Sequence, residues 1–209
     1  MKYLKLLPIF ALLLCTRFAS AKAVQVDSLH FGTFGKVHIY QTSENPDQVV
    51  LFVSGDGGWN EGVVDMAEEL AKQNAMVIGI DINTMFHNML KIKRKCLYPA
   101  GDFQELAQYV QRKKGLPEYH IPILAGYSSG ATMVYVLLAE APINTFAGGI
   151  SLGFGPDLDF PKPFCRGALL QSKLKKSKKG YLFLPVSHLD LPWIVLQGNI
   201  DRVTDPTIS

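Results

Sequence analysis

The sequence predicts an α/β domain in which a mostly parallel sheet carries helices on both faces. Apolar runs of strand length alternate with amphipathic runs of helix length, and several strand runs are apolar without interruption, as burial on both faces requires. With 48% hydrophobic and 19% charged residues, a 209-residue chain of 23.1 kDa can close one core, which excludes a disordered or fibrous chain. The formal charge is +3, but Lys2, Lys5 and Arg17 lie in the first 21 residues, where there is no acid. From residue 22 onward 18 basic residues balance 18 acidic ones, so bulk charge points to no nucleic-acid partner.

The chain opens on a targeting pattern. Lys2 and Lys5 form a positive start, residues 6–14 are an apolar run too short to span a bilayer, and Ala19, Ser20 and Ala21 supply small residues for a peptidase. A secretory signal over residues 1–21 is expected, followed by a single domain over 22–209; an N-terminal anchor or buried helix is the alternative. Bulky Leu14 argues against a lipoprotein site at Cys15. Cys96 and Cys165 then remain, and an oxidising compartment permits either a disulfide or two separately buried thiols.

Residues 37–40 and 49–54 read as strands. Residues 63–73 have helical spacing through Val63, Met66, Ala67 and Leu70, with acids on the other face. A buried strand follows at 75–82. Residues 102–113 are amphipathic through Phe103, Leu106, Ala107 and Val110, and Gly115 with Pro117 stops that helix. A strand at 121–127, a helix at 129–141 ended by Pro142, and strands at 146–154 and 193–197 complete the series. Sheets of this kind carry their chemistry at the carboxyl ends of the strands.

Gly126-Tyr127-Ser128-Ser129-Gly130 sits at such an end and fits a nucleophile elbow, in which a strand turns sharply into a helix with serine at the apex. Gly149-Ile150-Ser151-Leu152-Gly153 has the same spelling, but it lies inside an apolar segment leading to Pro156 and Asp157, so Ser151 reads as a strand residue. A plain turn with a small N-cap is the bland alternative for Ser128. An acyl-transfer serine needs donors for an oxyanion: the Ser129 amide is one, and the glycine-rich loop 54–59 offers Asp56 or Gly57 as the second. No Gly-Lys-Ser/Thr ending makes that loop a phosphate cradle.

Asp201, just past the strand at 193–197, stands where the acid of such a triad belongs, with Asp205 in reserve. The histidine should follow it, yet the five histidines all precede it; His188, before the last strand, and His87, after the strand containing Asp81 near the carboxyl edge, are the candidate substitutes, with a loop or packing histidine the alternative for each. No His-Glu or Cys-x-x-Cys spacing suggests a metal, and no cofactor is expected.

Taken together, Ser54-Gly-Asp-Gly-Gly-Trp59, Tyr98-Pro-Ala-Gly-Asp-Phe103, the pentapeptide extended to Thr132, Ile150-Ser-Leu-Gly-Phe154 and Pro192-Trp-Ile-Val-Leu-Gln-Gly198 resemble the bacterial virulence protein family of VirJ and the carboxyl-terminal half of AcvB. The resemblance implies a periplasmic α/β-hydrolase-like fold, with Ser128 as nucleophile and Asp201 as acid. VirJ is associated with type IV secretion, and AcvB-type proteins with hydrolysis of aminoacylated phosphatidylglycerol. The implied substrate is therefore an ester, such as the aminoacyl ester of lysyl-phosphatidylglycerol. The implied partners are anionic membrane lipid or secretion-system proteins.

Members carry cysteines where Gly155 and Thr204 stand, and they continue into a Gly-His segment that supplies the base. The chain thus resembles a truncated or frame-interrupted member lacking the last strand and helix. A non-catalytic accessory that binds type IV secretion substrates or machinery is the alternative. Lys173, Lys175, Lys176, Lys178 and Lys179 crowd into residues 171–180 without an acid, as either a solvated loop or a rim that meets lipid headgroups. Asp56, Asp102 and Asp157 are the acids better suited to a substrate ammonium group.

Overall fold

The computed structural model describes residues 23–199. The expected signal over 1–21 and Asp201 lie outside the described residues. Strands β1 (Gln25–Phe31), β2 (Gly35–Gln41), β3 (Gln48–Val53), β4 (Ala75–Ile80), β5 (Ile123–Tyr127), β6 (Gly148–Leu152) and β10 (Trp193–Leu196) form one sheet in the order β1-β2-β4-β3-β5-β6-β10. β1 and β2 are antiparallel to each other, and β2 to β4, whereas β4, β3, β5, β6 and β10 run parallel. This is the α/β-hydrolase-like arrangement that the sequence predicts.

The parallel strands are apolar because both their faces are covered. From β3, Val49, Leu51 and Val53 point into one core with α2 (Ile82–Leu90), α3 (Pro99–Lys113) and α4 (Ser129–Glu140). Val50 and Phe52 point into the other, against Val63, Ala67 and Ala71 of α1 (Glu61–Lys72). The chain leaves β3 through α1 to reach β4 on one side, and returns to β5 on the other side of β3. A crevice therefore opens beyond the carboxyl ends of β3 and β5, where the sheet order reverses.

Several boundaries differ from the sequence expectation. β1 is an edge strand of mostly exposed residues, so it lacks the apolar signal of its neighbours. The apolar run at 75–82 is cut at Ile80, because Asp81 caps α2 by accepting the Thr84 amide. α3 begins at Pro99 rather than Asp102, with proline at the first helical position, where no amide is needed. At the far end of the sheet β10 pairs only with β6 among the described residues, and its Ile194 and Leu196 are more than half exposed.

A second sheet, β7 (Asp157–Leu158), β9 (Tyr181–Phe183) and β8 (Ser172–Leu174), packs over the helices in the order β7-β9-β8. Its support is aromatic: Phe86 of α2 meets Phe160, Phe160 meets Phe164, and Phe164 meets Phe183, with ring centroids 4.4, 5.5 and 6.1 Å apart. Beside this row Cys96 and Cys165 form a disulfide, Cα atoms 5.0 Å apart. It ties the loop before α3 to the segment between β7 and β8, and it settles the choice that the sequence left open.

Fully buried Glu140 ends α4. Its Oε2 accepts the Ala100 amide of α3 at 2.9 Å, and its Oε1 has no partner among the described residues. Burial raises the carboxyl to about 8, against the opposing Ala100 amide and with help from the Asp102 charge. A group raised in the fold stabilises it fully below its ordinary value of 4.5 and loses that contribution as pH rises through about 8. Urea unfolding should thus lose up to about 1.4 kcal/mol per pH unit between about pH 5 and 8, and Glu140→Gln should flatten that slope. Closing 69 residues of chain, the disulfide should contribute about 4 kcal/mol, read as the difference in unfolding free energy between the native protein and Cys96→Ser/Cys165→Ser.

Candidate active site

β5 turns into α4 at Ser128, whose backbone is left-handed at φ 54°, ψ −120°. A side chain in that region is strained by about 1–3 kcal/mol and persists only where the surroundings hold it. Here the Ser128 amide donates to the Leu152 carbonyl at 2.9 Å, while its own carbonyl accepts the Ala131 and Thr132 amides. The flanking glycines are needed for space. A Cβ on Gly126 would strike the backbone of Gly130, and a Cβ on Gly130 would strike the carbonyls of Val53 and Ser54 at the end of β3. The result is an exposed Tyr127 and a half-buried Ser128 at the apex, as an elbow requires.

Ser151 is fully buried in β6, donating to the Ala131 carbonyl and accepting from the Trp193 indole, both at 2.9 Å. The second copy of the pentapeptide spelling is therefore structural.

The loop at 54–59 passes directly against the bend, and a Cβ on Gly55 would lie 3.0 Å from the Ser128 Cβ. The Gly58 amide closes a turn onto the Gly55 carbonyl, with Gly58 left-handed at φ 79°. Asp81 pins the loop's end by accepting the Trp59 amide through Oδ2 at 2.7 Å, and a Cβ on Gly58 would crowd that same oxygen. Burial would raise the Asp81 carboxyl, but the amides of Thr84 and Trp59 outweigh it and hold the group below its ordinary value.

Asn83 of α2 donates to the Asp56 carbonyl, and the Ser129 hydroxyl donates to Asp56 Oδ1 at 2.7 Å. The Asp56, Gly57 and Ser129 amides meet no acceptor among the described residues. Unengaged backbone amides are the kind of donor that stabilises a developing oxyanion. The sequence reading names Asp56, Gly57 and Ser129 as candidates and does not name Asp81 or Asn83 among them. Only the capping spacing from Asp81 to Thr84 hinted at one of them.

Ser128, Ser129, Asp56 and Thr132 line a cleft of about 350 Å³ whose far wall is Phe86, Asp157 and Asp159. Lys175 is ion-paired to both of those acids, at 2.6 Å from Asp159. A second hollow of about 260 Å³ lies on the other side of the loop, between Gly57, Met66 and Tyr127. Among the described residues no histidine lines either space. On α2 it is Phe86 that faces the cleft, with exposed His87 beside it, and His188 pairs with Asp190 at 3.0 Å. His38 stacks on Trp59, where burial lowers its pKa. Among the described residues no three His, Cys, Asp or Glu side chains are grouped to hold a metal ion, and no helix is long and apolar enough to cross a membrane.

Because Gly130 rests on backbone that cannot yield, Gly130→Ala should destabilise the protein by several kcal/mol, whereas Gly62→Ala, with open space at its Cβ, should cost nothing; denaturant midpoints of the two variants read the difference.

No curated protein matches the chain in sequence. Among solved structures it is similar to a protein designated a dienelactone hydrolase from Klebsiella pneumoniae subsp. pneumoniae MGH 78578, at 16% identity over 67% of this chain and 65% of that one, with a TM-score of 0.49. An S-formylglutathione hydrolase (FrmB) from Staphylococcus aureus aligns at 16% identity over 62% and 57%, with a TM-score of 0.46. The Francisella virulence factor BioJ aligns at 13% identity over 62% and 43%, with a TM-score of 0.43. The chain thus spans less than two thirds of each of these proteins. Residues 47–145, which run from β3 through α4 and hold both the glycine loop and the Ser128 bend, match the family model of the bacterial virulence protein VirJ.

Proposed function

We propose that this chain is a periplasmic, virulence-linked serine hydrolase acting on an ester, with the aminoacyl ester of phosphatidylglycerol as the substrate that the family resemblance favours. The observation that carries the reading is Ser128, left-handed at a strand-to-helix bend, bordering a cleft beside unengaged amides. In this reading the Ser128 Oγ attacks the ester carbonyl carbon and gives up its proton. The carbonyl oxygen becomes an oxyanion held by the Ser129 amide and by that of Asp56 or Gly57. The bond to the alcohol oxygen then breaks, the alcohol leaves with the proton, and water releases the acyl group from Ser128. The proton carrier in the family pattern is a histidine oriented by Asp201.

A second reading, an accessory that binds secretion substrates or machinery on the same scaffold, is favoured by one observation: among the described residues no histidine borders the cleft. Covalent labelling separates the two. A fluorophosphonate probe should modify Ser128, as located by mass spectrometry, and should leave Ser128→Ala untouched. If Ser128 stays unmodified under conditions that label a control hydrolase, cleavage by this route is excluded and binding takes its place.

A further inference from the structure

The 21 basic residues of the chain are unevenly placed. Four lie in residues 91–95 and seven in residues 162–179, together more than half. The chain has no acid between Asp81 and Asp102, nor between Asp159 and Asp190, so neither group is neutralised locally. The fold joins the two segments. Cys96 is bonded to Cys165, the Leu97 amide donates to the Pro163 carbonyl and the Cys165 amide to the Leu97 carbonyl. Lys162 reaches back to the carbonyls of Leu90 and Ile92.

Most of this charge is free. Lys162 is engaged with those carbonyls and Lys175 with Asp157 and Asp159, but Lys91, Lys93, Arg94 and Lys95 are exposed. So are Arg166, Lys173, Lys176, Lys178 and Lys179. None of these nine takes part in an ion pair among the described residues. Exposed leucines are interleaved with them: Leu90 before Lys91, Leu169 after Arg166, and Leu174 and Leu182 on the strands of the β8–β9 hairpin. In that hairpin Lys173 stands directly opposite Leu182. Arg166, Lys173 and Leu169 also border a hollow of about 560 Å³. A solvated loop needs no such leucines, and a nucleic-acid surface would pair its cations with polar or aromatic groups. Exposed cations interleaved with exposed aliphatic side chains match a bilayer of anionic lipid, with phosphate outside and acyl chains beneath.

We infer that the two basic segments clasped by Cys96–Cys165, together with the β8–β9 hairpin, form a docking surface for an anionic lipid bilayer. The surface is coupled to the Ser128 cleft. Lys175, at the base of the hairpin turn, is ion-paired to Asp157 and Asp159 of the cleft wall, and Phe86 of the same wall begins the ring row that ends at Phe183 of β9. Docking by this face sets the cleft at the membrane, where an amphiphilic substrate could enter it without leaving the lipid.

Co-sedimentation with vesicles tests this on the full chain. Phosphatidylcholine vesicles containing phosphatidylglycerol should carry the protein down, and pure phosphatidylcholine vesicles should not. Lys173→Gln/Lys176→Gln/Lys178→Gln/Lys179→Gln should weaken partitioning by about tenfold or more, as should raising the salt concentration. Removing four cations elsewhere, with Lys36→Gln/Lys72→Gln/Arg112→Gln/Lys113→Gln, should have a much smaller effect, which separates a patch from bulk charge. Leu174→Ser/Leu182→Ser should weaken binding with all charges in place, and circular dichroism checks that each variant is folded. The inference fails if vesicle binding is absent, if both charge variants lose it equally, or if the protein binds an anionic oligonucleotide in preference to vesicles. Sedimentation reads binding alone, so a silent Ser128 leaves its outcome intact, and absent docking leaves the fluorophosphonate result intact.

Discussion

The site depends on one close approach between two stretches of backbone. The first turn of α4 lies against the end of β3 so tightly that Gly130 meets the carbonyls of Val53 and Ser54, and Gly126 meets Gly130. This contact places the loop after β3 beside the bend after β5, where Ser128 adopts its left-handed backbone. The hydroxyl, the open amides and the cleft wall take their positions from it. Side-chain hydrogen bonds refine the arrangement: Asp81 fixes the far end of the glycine loop, and Ser129 fixes the Asp56 carboxylate.

Much of this was legible in the chain because it rests on local signals. An apolar strand, a small-residue bend and an uninterrupted helical run distinguish Ser128 from Ser151, and the structure separates them as that context implies: one at an apex, the other bonded inside the sheet. The parallel core was equally plain, since Ala75–Ile80 and Gln48–Val53 carry the continuous apolar residues that two covered faces demand. What escaped depends on tertiary partners. β1 is held mainly by its register with β2, only Leu29 and Phe31 packing on the core, so its mixed sequence carries little such information. α2 hides behind an apolar run that continues from β4, and only the Asp81 cap divides them. The contribution of α2 to the cleft, Asn83 and Phe86, was invisible with it.

The smaller sheet illustrates how a short, irregular segment acquires order. Its strands are two or three residues long and could not stand alone. A disulfide, a row of phenylalanines and a Tyr135 hydroxyl bond to the Leu184 carbonyl at 2.6 Å attach it to α2 and α4. Because Lys175 reaches from this sheet to Asp157 and Asp159, the same attachments fix both the rim of the cleft and the electrostatics of its wall.

The outer side of β10 has a different significance. Leu196 there lines an apolar hollow with Met66, Leu70 and Leu152, and Ile194 of the same strand is more than half exposed. Among the described residues β10 has β6 as its single neighbour, and a strand so placed is a template on which another molecule's strand can add. Refolding of this chain from denaturant is then a contest between intramolecular closure and bimolecular addition, in which dilution governs yield and crowding favours deposits.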